Sequence, residues 1–255
     1  MNVKHATPGL AALLLSAGLH ATSAAAQDAG GGGTAICDGD EKVPATRLVA
    51  DYSSGISHSR LSGWASSDES YLPYALYCRA KAYVRLEKYA QARNDLEWAL
   101  KPYHRHDPTF WQALVAVAEK TDDTPHLSAL LDEMTDGSPK SADILAVACW
   151  TRAEQGQELD KALTQCDAAL QLTPGDAALR DSRCLVRFRL GQFADAAQDC
   201  DAALQVDPKM ETALYIRGLA RLRLGDSDVG KTDIAAATAL DPKIAETYAG
   251  YGVKP

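Results

Sequence analysis

Six cysteines, Cys37, Cys78, Cys149, Cys166, Cys184 and Cys200, are the residues of this 255-residue chain best equipped for chemistry. In an oxidising compartment an even set of thiols reads as disulfide halves; elsewhere each cysteine is a small apolar residue in a packed place. Other candidate chemistry is thin. His104 and His106 flank Arg105, but nothing supplies third and fourth ligands at a recognisable spacing, so no metal site is expected. The run Gly30 to Gly33 has no strand before it and no helix start directly after it, which excludes a phosphate-cradling loop. No serine-nucleophile motif and no metalloprotease signature occurs. The chain is therefore expected to be no enzyme and to need no cofactor.

The compartment follows from the first residues. Lys4 leads into the apolar run Leu10 to Leu19, and Ala24-Ala25-Ala26 precede Gln27, the three parts of a secretory signal peptide cleaved after Ala26. The run is too short to span a bilayer, and no later stretch is long and apolar enough to do so. Residues 27–44, with the four consecutive glycines Gly30 to Gly33, read as a flexible arm. Loss of the leader removes one lysine and no acid, taking the net charge from -8 to -9. Such an acidic chain is not expected to bind nucleic acid. With 46% hydrophobic residues it can build a real core.

The elements that would position these residues announce themselves as a period. Pro174, Pro208 and Pro242 stand 34 residues apart, and Ala169, Ala203 and Ala237 keep the same step. Ala162, Ala196 and Gly230 follow it, as do Gly191 and Gly225, with Gly156 a further 35 residues back. A fixed period in this range means a repeat array of helix hairpins. Small residues let the paired helices approach, and proline stops the second helix. These residues resemble the tetratricopeptide repeat family. The resemblance is strong from about Asp143 to Pro242 and implies an all-α, right-handed α-solenoid. It divides residues 45–255 into a half-repeat at 45–57, repeats at about 73–104, 142–175, 177–210 and 211–244, a degenerate pair at 107–136, and a capping helix at about 243–251. Glu87 takes the turn-glycine place in the first full unit.

In that hairpin register Cys149 faces Cys166 and Cys184 faces Cys200. Helix packing sets facing Cα atoms roughly 4–5 Å apart, which permits disulfides. Cys37 and Cys78 are left to pair with each other. Arg79, Arg183 and Arg217 stand opposite Asp95, Asp199 and Asp233, and where the arginine is replaced by Ala148 the acid is replaced by Gln165. Arginine and aspartate come and go together, as a partly exposed ion pair across each hairpin would require. Arg152, Arg187 and Arg221 form a further basic stripe whose partner is either a second-helix carboxylate or an acidic ligand.

The resemblance also implies a working surface. In the family the first helices line a concave groove, and the matching residues are Tyr74, Tyr77, Lys81 and Arg85, then Trp150 and Glu154, then Phe188 and Arg189, and finally Tyr215, Leu219 and Arg223. Aromatic and arginine side chains of this kind anchor a peptide or a partner helix. The competing expectation is that Phe188 and Leu219 pack between neighbouring helices. Asp181 and Leu185 stand where some family members hold a carboxylate clamp, so capture of a chain terminus is not expected. The function implied is a non-enzymatic protein-interaction scaffold of a bacterial envelope, periplasmic or secreted. The alternatives are an accessory subunit of a cell-wall or outer-membrane assembly, or a small-ligand carrier or enzyme using the groove.

Overall fold

The computed structural model describes Cys37 and residues 42–61, 71–100, 107–121 and 124–254. The leader at 1–26, most of the arm at 27–44 and the His104 to His106 loop lie outside the described residues. Twelve helices and no strand occur among the described residues, and the chain divides into two compact units between Gly137 and Ser138.

The N-terminal unit holds α1 (Ala45–Leu61), α2 (Tyr71–Arg85), α3 (Tyr89–Ala99), α4 (Pro108–Lys120) and α5 (Thr124–Gly137). Each helix packs on the next in chain order, around the buried side chains of Leu76, Leu96, Phe110, Leu114 and Met134. Asp107 starts α4 by accepting the Thr109 N–H at 2.9 Å, with Pro108 in the first turn where its missing N–H costs nothing. The pair α4–α5 occupies the stretch that lacks the turn glycine, because apolar spacing and this cap suffice without it.

The C-terminal unit holds three hairpins, α6 (Ala142–Gln155) with α7 (Leu159–Leu172), α8 (Ala177–Arg189) with α9 (Phe193–Val206), and α10 (Glu211–Leu224) with α11 (Ser227–Leu240), followed by α12 (Ile244–Gly250). First helices stack on first helices, α6 on α8 and α8 on α10. The turns explain part of the period. Gly191 and Gly225 adopt positive φ of 77° and 95°, and the next N–H, of Gln192 or Asp226, donates to Arg187 or Arg221 O at 2.9 Å, closing the helix end in a left-handed cap. Glu87 takes the same conformation at φ 56°, at a strain that glycine avoids. Ala162 and Ala196 are fully buried at the helix crossings. In the third hairpin Gly218 and Gly230 face each other so closely that a Cβ on either would lie 2.8 Å from the other's carbonyl oxygen.

Cysteine occupies the same crossings in the other two hairpins. Cys149 is paired with Cys166 and Cys184 with Cys200, with Cα separations of 5.4 and 5.5 Å, and Cys37 with Cys78 at 5.7 Å. These spacings fit a disulfide, and the two hairpin values lie just above the roughly 4–5 Å expected from helix packing.

The arginine–aspartate pairs are bidentate. Arg79 meets Asp95, Arg183 meets Asp199 and Arg217 meets Asp233 at 2.6–2.8 Å. Their aspartates are buried, with 2–6% of the residue exposed, while the arginine side chains keep 17–19% exposure, so the clamps are partly exposed on the arginine side alone. Arg183 and Arg217 also reach back to Asp167 and Asp201 on the preceding second helix, both at 2.7 Å, which ties each repeat to the one before. The basic stripe is consumed in the same way. Arg187 meets Asp199 at 2.8 Å and Arg221 meets Asp233 at 2.8 Å. Arg152 is buried and donates to Gln165 at 2.9 Å and Glu158 at 3.1 Å. Second-helix aspartates meet the Arg187 and Arg221 guanidinium groups, and Gln165 together with Glu158 at the start of α7 meets that of Arg152.

Candidate functional site

The expected groove residues fall in both units. In the N-terminal unit Tyr74 and Tyr77 are half-buried and pack on Phe110, each with ring centroids 5.4 Å away. Lys81 is exposed and lies over the Tyr77 ring at 5.7 Å. Arg85 donates to Val43 O at 2.8 Å. Of these four, Lys81 and Arg85 are the exposed ones, and Arg85 already holds the segment ahead of α1.

In the C-terminal unit the face built by α6, α8 and α10 is covered. Tyr215 and Leu219 have no exposed surface and Phe188 only 8%, so none of the three is free to meet a partner as the chain stands. Trp150 is half-buried against the same core. The burial of Tyr215 has an identifiable cause. Tyr248 of α12 stacks on it at 5.2 Å, and Tyr251 meets Tyr248 edge-on at 5.7 Å. Ile244, Tyr248 and Val253 join the core that contains Leu185, Phe188, Tyr215 and Leu219. What closes the Tyr215 end of the face is the chain's own terminal segment, whose helix packs on α10 and α11, while Phe188 packs on Phe193 at 5.5 Å; the correction to the sequence reading is that these residues are occupied rather than open.

Local geometry explains why the segment stops here. Gly252 adopts φ 78°, its N–H donates to Ala249 O at 3.0 Å, and the Val253 N–H donates to Tyr248 O at 2.8 Å. This helix ending brings the Val253 side chain back beside Tyr248. Two arginines of the face then hold the segment by its main chain. Arg189 donates to Glu154 O at 2.9 Å and to Tyr251 O, and Arg223 donates to Lys254 O at 3.0 Å. Gly156 makes room for this, since the Arg189 guanidinium fills the space a Cβ would need.

Two buried polar groups of the face lack a full set of partners. Asp181 Oδ2 accepts the Thr212 hydroxyl at 2.6 Å, whereas Asp181 Oδ1 and the Tyr215 hydroxyl are buried with no hydrogen-bond partner in the protein. Burial pushes the Asp181 carboxyl up to about 7, with Thr212 opposing and the negative charge of Glu211 adding to the rise. Burial also pushes the Tyr248 hydroxyl well above its ordinary value, followed in effect by the neighbouring acids Asp181, Tyr251, Glu154 and Glu211. Sequence reasoning does not bring Asp181, Tyr248 and Tyr251 together on this face. The signal for the last two is the Tyr-x-x-Tyr-Gly-Val spacing at the end of a short helix.

Among the described residues no group of three His, Cys, Asp or Glu side chains is arranged to hold a metal ion, and no helix is long and apolar enough to cross a membrane. The chemistry available to the face is hydrogen bonding to main-chain carbonyls, aromatic stacking and apolar burial.

Residues 185–243 match the tetratricopeptide repeat family. No curated protein matches the chain in sequence. Its fold is similar to that of several solved structures. A tetratricopeptide repeat protein from Parabacteroides merdae is 19% identical, covering 70% of each chain with a TM-score of 0.56. A thermophilic TPR protein of Thermus thermophilus is 20% identical, covering 71% of this chain and 97% of the other with a TM-score of 0.52. MamA MSR-1 is 18% identical, covering 67% of this chain and 97% of the other with a TM-score of 0.51.

Proposed function

We propose, from the tetratricopeptide repeat match of residues 185–243 and the solved repeat proteins that share the fold, that this chain is a non-enzymatic interaction scaffold of the bacterial envelope. Its working surface is the face of α6, α8 and α10, which takes up an extended peptide or a partner helix through Trp150, Phe188, Arg189, Tyr215, Leu219 and Arg223. One observation supports this most. The face already holds a peptide segment, stacking Tyr248 on Tyr215 and grasping main-chain carbonyls with Arg189 and Arg223. Aromatic shelves and arginines of this kind recur where peptides are gripped. The envelope location rests on the leader-like start of the sequence and on its paired cysteines.

The test is affinity capture of partners from envelope extract by the mature protein and by Trp150→Ala and Arg223→Ala. Trp150→Ala should weaken capture by about 1–3 kcal/mol, as for an interface anchor. Arg223→Ala should weaken it more at low salt than at high salt, because exposed charges steer encounter and are screened. Folded variants that retain the partner unchanged would rule this face out.

A further inference from the structure

We propose that the segment from Ile244 to Lys254 is a displaceable occupant of the α6–α8–α10 face, and that what displaces it is a protein segment of like chemistry. That segment presents an aromatic ring to Tyr215, main-chain carbonyls to Arg189 and Arg223, and a polar group to the Tyr215 hydroxyl and Asp181. The inference rests on the reading of that face as a peptide site, and adds that the site is shut in the resting protein.

Three features of the segment support exchange over permanence. First, it is held on one side. Ile244, Tyr248 and Val253 are buried, whereas Ala245, Glu246, Ala249, Gly250 and Lys254 are exposed. The helix has 7 residues against 13–14 in the repeat helices of this unit, and the unit's disulfides fasten α6 to α7 and α8 to α9 but leave α12 unfastened. Units with few buried anchors open first. Second, the arginines of the face address the segment through the carbonyls of Tyr251 and Lys254, groups that every peptide carries. Third, the fit is incomplete. The Tyr215 hydroxyl and Asp181 Oδ1 are buried with no hydrogen-bond partner in the protein, a cost that a ligand offering a donor or acceptor to either group would lower. The occupant nevertheless keeps free peptides out, because its tether to α11 is only a few residues long and gives it a high effective concentration.

Two measurements test this on the full mature chain. In native-state hydrogen exchange of the parent, the amides of Tyr248 to Val253 should exchange through local opening at least about tenfold faster than those of α8 and α9. A labelled synthetic peptide of residues 242–254 should bind Tyr248→Ala at least about tenfold more tightly than the parent, and adding Arg189→Ala should abolish that gain. Val253→Asp serves as a second variant that loosens the segment from its other anchor. If the segment exchanges no faster than α8 and α9, or if both variants lose the fold, the segment is a fixed part of the unit and the displacement is wrong. Peptide binding by a variant whose parent never opens would sink displacement and leave the peptide site standing. Opening in the parent with no peptide binding by either folded variant would sink both.

Discussion

The ring of Tyr248 lies against that of Tyr215 with centroids 5.2 Å apart and planes inclined by 36°, and both side chains are buried. One residue belongs to the repeat array and the other to the segment that follows it, so the stack is the seam between scaffold and occupant. Removing either ring has different consequences. Tyr215→Ala leaves a cavity inside the array and should cost about 3–5 kcal/mol in chemical denaturation, in the range of other buried aromatic truncations. Tyr248→Ala should cost less, because the array beneath retains its own hairpin packing. Equal losses would mean that α12 and α10 unfold as one unit.

Asp181 gives this seam a pH dependence. Its carboxyl rises to about 7 in the folded chain from an ordinary 3.8, chiefly through burial. The folded state therefore binds this proton more tightly than the unfolded state. The stability it contributes is fully present below the unfolded value, declines between about pH 4 and pH 7, and is lost above. Melting temperatures measured from pH 5 to pH 8 should fall more steeply for the parent than for Asp181→Asn. Parallel curves would show that Asp181 ionises as freely in the fold as outside it.

Much of this architecture is legible in the amino-acid sequence. The 34-residue step of Pro174, Pro208 and Pro242 marks the hairpin ends, and the joint replacement of Arg and Asp by Ala148 and Gln165 reveals the cross-hairpin pairs. Asp167 and Asp201 are harder to find, although they follow Cys166 and Cys200 by one residue in the same register. Their partners lie in the next repeat, and a pattern read within each unit does not look there. Occupation of the face is illegible for a related reason. Tyr248 keeps the 34-residue step from Leu214, but Tyr251 stands where α10 has Arg217 and the helix ends before Val253, and a period predicts only the contacts that recur with it.

The charge ladder makes a separate prediction. Arg183 joins the buried Asp199 to Asp167 on the preceding hairpin. Arg183→Met should destabilise by less than the roughly 3–5 kcal/mol of a buried carboxylate left alone, because Arg187 still meets Asp199 at 2.8 Å. Arg183→Met combined with Asp199→Leu should cost less than the sum of the two single changes, a coupling that a double-mutant cycle measures directly.

The cysteines are checked by peptide mapping without reduction, which should link Cys37 to Cys78, Cys149 to Cys166 and Cys184 to Cys200. The two hairpin bonds close loops of 17 and 16 residues, each expected to contribute about 3 kcal/mol. Reduction should lower the melting temperature and leave the helical spectrum, since stacked hairpins retain their own packing.

The central claim, that a protein segment binds on the face of α6, α8 and α10, is tested most directly by site-specific photo-crosslinking. A photoreactive phenylalanine derivative at Trp150 is compared with one at Gln171, an exposed position on the second helix α7. The account predicts a defined crosslinked partner from position 150 and none from position 171, with the position-150 product lost when Arg189→Ala and Arg223→Ala are added. Crosslinking from position 171 alone, or equal yields from both positions, would place the partner elsewhere and contradict the account.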